Sequence, residues 1–135
     1  MTQIFTMPYT ILIFITRKST ISHLDFKKHY ETSHMPLLQF YGGEHFPKSH
    51  RRHYMQFRDC DNGQPTVIHG DKAAFDFDVI AEVSFDDEAA FQAFLAALAG
   101  EEAAKTLKID EDKFINREKM RIVVVGDVQE TMTLD

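Results

Sequence analysis

The chain pairs a strand with a helix twice, and this repeat narrows its possible folds more than any other feature. From Tyr9 the β-branched run "YTILIFITRK" reads as a central strand buried on both faces. Ser22 stands three residues before Asp25, close to a capping box, so "HLDFKKHYETSH" reads as a helix starting there. Further on, "FDFDVIAEVSF" alternates as a strand, with Phe77, Val79, Ala81, Val83 and Phe85 on one face and Asp78, Ile80, Glu82 and Ser84 on the other. It runs at once into "DDEAAFQAFLAAL", a helix with Phe91, Phe94, Leu95 and Leu98 on one stripe and Gly100 as its stop. Both halves thus carry an acid-capped helix with an i, i+4 apolar pair, Phe26 with Tyr30 and Phe91 with Leu95.

The remaining segments complete the order. Pro36 disfavours helical geometry at Met35 and sets the end of the first helix. "PLLQFYGGEHFPKS" reads as a loop with at most a helical turn at its start, and Gly42 to Ser49 reads equally as a lid or an ordinary surface loop. "HRRHYMQFR" reads as a strand, "DCDNGQPT" as a turn with Asn62-Gly63 at its tip, residues 101–117 as two short helical pieces, one carrying Phe114, and "KMRIVVVGD" as the last strand. The prediction is an α+β, ferredoxin-like βαββαβ sandwich over residues 9–127: a four-stranded antiparallel sheet with helices on one face, and terminal extensions at 1–8 and 128–135. The 135 residues suit one domain with a single core.

Composition removes several classes of function. A net charge of -6 without a Lys/Arg block gives no footprint for nucleic acid or an anionic membrane. The longest apolar run, Ile11 to Ile15, is far too short to span a bilayer. Cys60 is the only cysteine, which rules out an intramolecular disulfide and fits a reducing, cytoplasmic setting. A GxSxG elbow, a phosphate-binding glycine loop and a dinucleotide fingerprint are all missing. Seven histidines invite a metal site, but His50 and His53 are three apart on a strand, and His29 and His34 are five apart on a helix, about 140° around its axis, so no metal is expected.

A sheet with helices on one side leaves its other face to water, a ligand or another chain. If Met55 and Phe57 mark the helix-facing side of the second strand, Arg52, Tyr54 and Gln56 join Asp78, Ile80 and Glu82 on the open face. That mixture suits a pocket better than a plain solvated surface, and packing two such sheets face to face in a homodimer would close it. On the first helix, His23, Phe26, Tyr30 and His34 fall within about 80° of arc, so His34 extends the inward stripe; a histidine at a helix end is also a common structural device.

The blocks "LDFKKHYETSHMPLL", "FP" at Phe46-Pro47, "SHRRHY", "FDVIAEVSFDDEAAFQAF" and "DEDKFINREKMRIVVVGD" resemble, in this order, the EthD-domain family of the dimeric α/β-barrel superfamily, and more narrowly its fungal members encoded beside aromatic polyketide synthases. The resemblance runs from about Tyr9 to Asp127. It implies a homodimer and a cofactor-independent lyase, a decarboxylase or a dehydratase/cyclase, acting on a small aromatic polyketide. It carries the histidine of the "YE..H.PL" block over to His34 and the acids of "DFD.IAE" to Asp78 and Glu82. On that reading His34 moves the proton, Asp78 orients it or serves as second acid/base, and Arg52 and Tyr54 donate to the developing enolate. Phe40, Tyr41 and Phe46 would pack on the substrate rings, with Gln56, Ile80 and Glu82 lining the same pocket. A cofactor-free anthrone-type monooxygenase, a non-catalytic binding protein and a purely structural dimer are the alternatives.

Overall fold

The computed structural model describes residues 8–58 and 63–135. Strand β1 (Tyr9–Ile15) leads into α1 (His23–His29), a π-helical turn (Tyr30–His34) and α2 (Met35–Gly42). Then come β2 (Ser49–Tyr54), β3 (Val79–Phe85), α3 (Glu88–Leu98), α4 (Glu101–Glu111) and β4 (Arg121–Val125), with 3-10 turns at Gly43–His45, Lys72–Ala74 and Arg117–Lys119. The strands form one antiparallel sheet in the order β2-β3-β1-β4, the ferredoxin-like arrangement that the repeat predicts.

Both crossover helices start as the sequence requires. Ser22 Oγ accepts the Asp25 amide at 3.1 Å and Asp87 Oδ1 accepts the Ala90 amide at 2.8 Å. Ile11, Ile15, Val79, Ala81, Val83 and Phe85 are buried on the helix-facing side of the sheet. Against them pack Phe26, Tyr30, Phe94 and Phe114; the Phe26 and Phe114 rings meet edge-on at 5.5 Å, and each ring removed from water stabilises the fold by about 1.5–3 kcal/mol.

The first helix does not stop at Pro36. Met35 keeps helical angles, φ -61° and ψ -44°, and its amide donates to the Tyr30 carbonyl five residues back. A proline in a regular helix collides with the carbonyl four residues earlier and lacks an amide to donate. Here the wider π winding relieves both problems and leaves Pro36 in the first turn of α2. Most of the expected loop after Pro36 is therefore helix. Residues 101–117 form a single helix, α4, followed by a turn, and Phe114 sits in the turn, fully buried. The expected tip at Asn62, with Cys60, lies outside the described residues.

The other sheet face carries no helix. Thr10 and Ser84 share a hydrogen bond at 2.9 Å, and Leu12, Phe14, Ile80, Val123 and Val125 form a half-covered apolar stripe beside them. Edge strand β4 leaves Ile122, Val123 and Val124 half exposed, and the tail from residue 126 is exposed without regular structure. Among the described residues no helix is long and apolar enough to cross a membrane.

Candidate active site

The register of β2 decides where the polar residues go. His50 pairs with Val83, Arg52 with Ala81 and Tyr54 with Val79, so these three side chains point to the helix side, while Arg51 and His53 point to the open side. This reverses the expected placement of Arg52 and Tyr54. The inversion has a simple cause: β2 ends at Tyr54, and Met55, Gln56 and Phe57 lie beyond it, so the apolar pair used to set parity is not part of the ladder. Gln56 is exposed there, its carbonyl taken by the Thr66 amide at 2.8 Å.

On the helix side the π turn brings His34 inward. His34 is 4% exposed, and its Nδ1–H donates to Asp110 Oδ2 at 3.1 Å. Asp110, equally buried on α4, receives His29 Nε2–H at 3.0 Å and the Ser33 hydroxyl at 2.8 Å on its other oxygen. His29 and His34 were expected to diverge around a regular helix. Slower winding over one turn places both on the same carboxylate. Even so, among the described residues no three His, Cys, Asp or Glu side chains are placed to hold a metal ion.

Protonation follows from this geometry. Burial lowers the His34 pKa below its ordinary 6.5, only partly opposed by the bond to Asp110, so the imidazole is neutral at pH 7. Burial alone would raise Asp110, but the bonds from Ser33 and His34 and the nearby His29 hold it below the usual value, as a carboxylate. A carboxylate facing Nδ1 keeps the proton on that nitrogen and leaves the lone pair on Nε2. His34 Nε2 makes no hydrogen bond with the described residues and is left with its lone pair unengaged. The pair is an oriented neutral base.

A second group completes the region. Glu31 accepts Arg52 Nε–H at 2.7 Å, Arg52 Nη2–H at 2.8 Å and the Tyr54 hydroxyl at 2.6 Å. The bond from Arg52 holds the Glu31 carboxyl below its usual value, and burial with the bond to Glu31 keeps the Tyr54 phenol protonated. Tyr30 links the two groups: its ring meets those of His34 at 5.7 Å and His50 at 6.3 Å, both edge-on. A cleft of about 350 Å³ adjoins the second group, walled by Glu31, Met35, Phe46, Ser49, His50 and Arg52, with His34 behind that wall rather than on it.

The other expected residues lie elsewhere. Asp78 takes the Arg17 amide on Oδ2 at 2.7 Å, while Oδ1 lies 2.9 Å from His23 Nδ1 and 3.3 Å from Arg17 Nε. It shares no contact with His34, and Asp110 occupies the orienting position expected of it. Glu82 and Ile80 are on the open face, where Glu82 receives His53 Nε2–H at 3.0 Å. Phe40 is 74% exposed and Tyr41 reaches toward Glu102, so of the three expected rings only Phe46 lines the cleft, where it also packs edge-on against Phe94 at 6.2 Å. Asp110 escaped the sequence reading, although its signal was present: Ala103, Leu107, Asp110 and Phe114 share one helical stripe, and an acid on an inward stripe needs buried partners.

Comparison with known proteins agrees with the fold. The crystal structure of an ethyl tert-butyl ether D (EthD) family protein from Bacillus halodurans superposes with a TM-score of 0.54, at 17% identity, covering 89% of this chain and 99% of that one. No curated protein matches the chain significantly. The EthD domain family model matches residues 18–118, and the chain belongs to the EthD-domain family.

Proposed function

We propose that this protein is a cofactor-independent lyase of an aromatic polyketide intermediate, a decarboxylase or dehydratase/cyclase, working by acid/base chemistry at an enolate. The observation that carries the proposal is the Asp110-His34 pair, with a neutral imidazole whose Nε2 lone pair is free. In ring closure or dehydration, Nε2 takes the proton from the carbon between two carbonyls, and the electron pair moves to oxygen as an enolate. In decarboxylation Nε2 first takes the carboxyl proton of the β-keto acid; the C–C bond to CO2 then breaks with its electron pair moving to the enolate oxygen, and the proton returns from Nε2 to the carbanionic carbon. Either way charge gathers on one oxygen, which donors in the cleft would stabilise.

Arg52 walls that cleft. Four of its donor contacts are made within the protein, two to Glu31 and two to His50, which leaves one Nη2–H for a ligand. Phe46 offers a ring face to an aromatic substrate. The apolar stripe of Leu12, Phe14, Ile80 and Val123 supports a homodimer in which two open faces meet, so that the cleft lies within each protomer.

Product mass spectrometry on an aryl polyketide β-keto acid tests the reading, comparing wild type, His34→Ala and no enzyme, under air and under nitrogen. Faster CO2 loss under nitrogen that vanishes in the variant is the expected result. Acceleration only in air would indicate an oxygenase, and none in either atmosphere a cyclase or a binding protein.

A further inference from the structure

His50 is a neutral imidazole of fixed tautomer on the wall of the cleft, and the base reading assigns it no role. Arg52 Nη1 donates to His50 Nδ1 at 3.1 Å and to the His50 carbonyl at 2.9 Å. A guanidinium has only donors, so Nδ1 must present its lone pair and the single proton of the neutral ring must sit on Nε2. His50 Nε2 makes no hydrogen bond with the described residues, and the ring borders the cleft.

His34 and His50 are thus locked in opposite tautomers by opposite partners, a carboxylate on Nδ1 of one and a guanidinium on Nδ1 of the other. Both rings lean on the Tyr30 ring. One presents a lone pair and the other a proton, the complement that an enolising carbonyl requires, a base at carbon and a donor at oxygen.

We propose that His50 is the electrophilic partner of His34: held by Arg52 as the Nε2–H tautomer, it donates a hydrogen bond to the carbonyl oxygen of an enolisable aryl 1,3-dicarbonyl compound as negative charge develops there. Arg52, braced by Glu31 and Tyr54, is its positioning residue. Desolvation first, then the Arg52 charge, pushes the His50 pKa down to about 4, so the ring stays a neutral donor at working pH. This inference rests on the lyase reading for its catalytic meaning, but the donor itself can be observed without turnover.

The test is long-range 1H–15N NMR of the histidines at pH 7, with His50 assigned by its absence in His50→Gln, before and after adding benzoylacetone as an aryl 1,3-diketone probe. The expected spectrum shows bare Nδ1, protonated Nε2 and a shift of the Nε2 resonances on addition; a ring protonated on Nδ1, or one that does not respond, overturns the proposal. Arg52→Met should release the tautomer to a mixture. Gln places an amide N–H near Nε2 and Asn places it near Nδ1. His50→Gln should therefore bind the probe nearly as wild type, while His50→Asn and His50→Ala lose roughly tenfold; equal binding by all three refutes the donor role. A responsive His50 in a protein without lyase activity removes the catalytic reading alone, whereas turnover with a silent His50 removes this inference alone.

Discussion

His34 and Asp110 stand 76 positions apart in the chain and 3.1 Å apart in space, Nδ1 to Oδ2, and the carboxylate fixes which ring nitrogen is basic. Replacing Asp110 by Asn offers an amide that can donate to Nδ1 and draw the proton to Nε2. Turnover of an aryl β-keto acid should then fall by about 10²–10⁴-fold with substrate binding little changed. Steady-state kinetics of Asp110→Asn beside Asp110→Glu measures this, and an unchanged kcat would remove His34 as the base.

Asp78 should behave in the opposite way. Its carboxylate ties the Arg17 amide and the His23 ring at the start of β3 and shares no contact with His34. Asp78→Asn is expected to cost about 1–3 kcal/mol of stability, because buried donors lose a charged acceptor. The folded fraction should keep its kcat. A collapse of kcat in a stable Asp78→Asn variant would restore this residue to the chemistry.

The histidines give the protein an acid limb. His50 is held neutral down to about pH 4 in the fold but takes a proton near 6.5 when unfolded. Its contribution to stability is therefore complete above pH 6.5 and declines as pH falls toward 4, since the unfolded chain binds more protons in that window. Glu31 and Asp110, both lowered in the fold, add slopes of the same sign at lower pH. Urea unfolding from pH 7 to pH 4 should show the decline, and His50→Gln should flatten it. The lowered His34 pKa likewise predicts that kcat/KM holds below pH 6.5 before falling.

Gly42 offers a purely steric test. A Cβ built there would stand 2.8 Å from Phe94 Cε1, where α2 crosses α3. Its φ of -69° is ordinary, so the glycine is required for space rather than for conformation. Gly42→Ala should destabilise by about 1–3 kcal/mol in thermal melts, and pairing it with Phe94→Leu should recover part of the loss.

Charge on the open face tests the proposed homodimer. Leu12→Glu with Val123→Lys leaves the helix side untouched and should give a monomer by analytical ultracentrifugation. A wild type that sediments as a monomer at micromolar concentration would refute the assembly.

The sheet, its order and the two capped crossovers were legible because each rests on local signals: alternation in β3, Ser22 and Asp87 as caps, and the apolar stripe of α3. His34 was legible as an inward residue for the same reason. The rest of the site was not, because its parts are set by register and by winding. One residue of parity decided whether Arg52 and Tyr54 met solvent or Glu31, and the only apolar pair bearing on it lay past the strand end. The partnership of His29 with His34 depends on a π turn, which a period of 3.6 cannot anticipate.

That turn amounts to one residue more than an α-helix needs between Phe26 and Gly42. Wound as a regular α-helix, the same residues would turn α2 by about 100° relative to α1. His34 would rotate away from Asp110 and Gly42 away from Phe94 together. The spare residue acts as a phase setter: it lets one continuous helical segment satisfy two partners, α4 and α3, that a uniform helix would serve only one at a time.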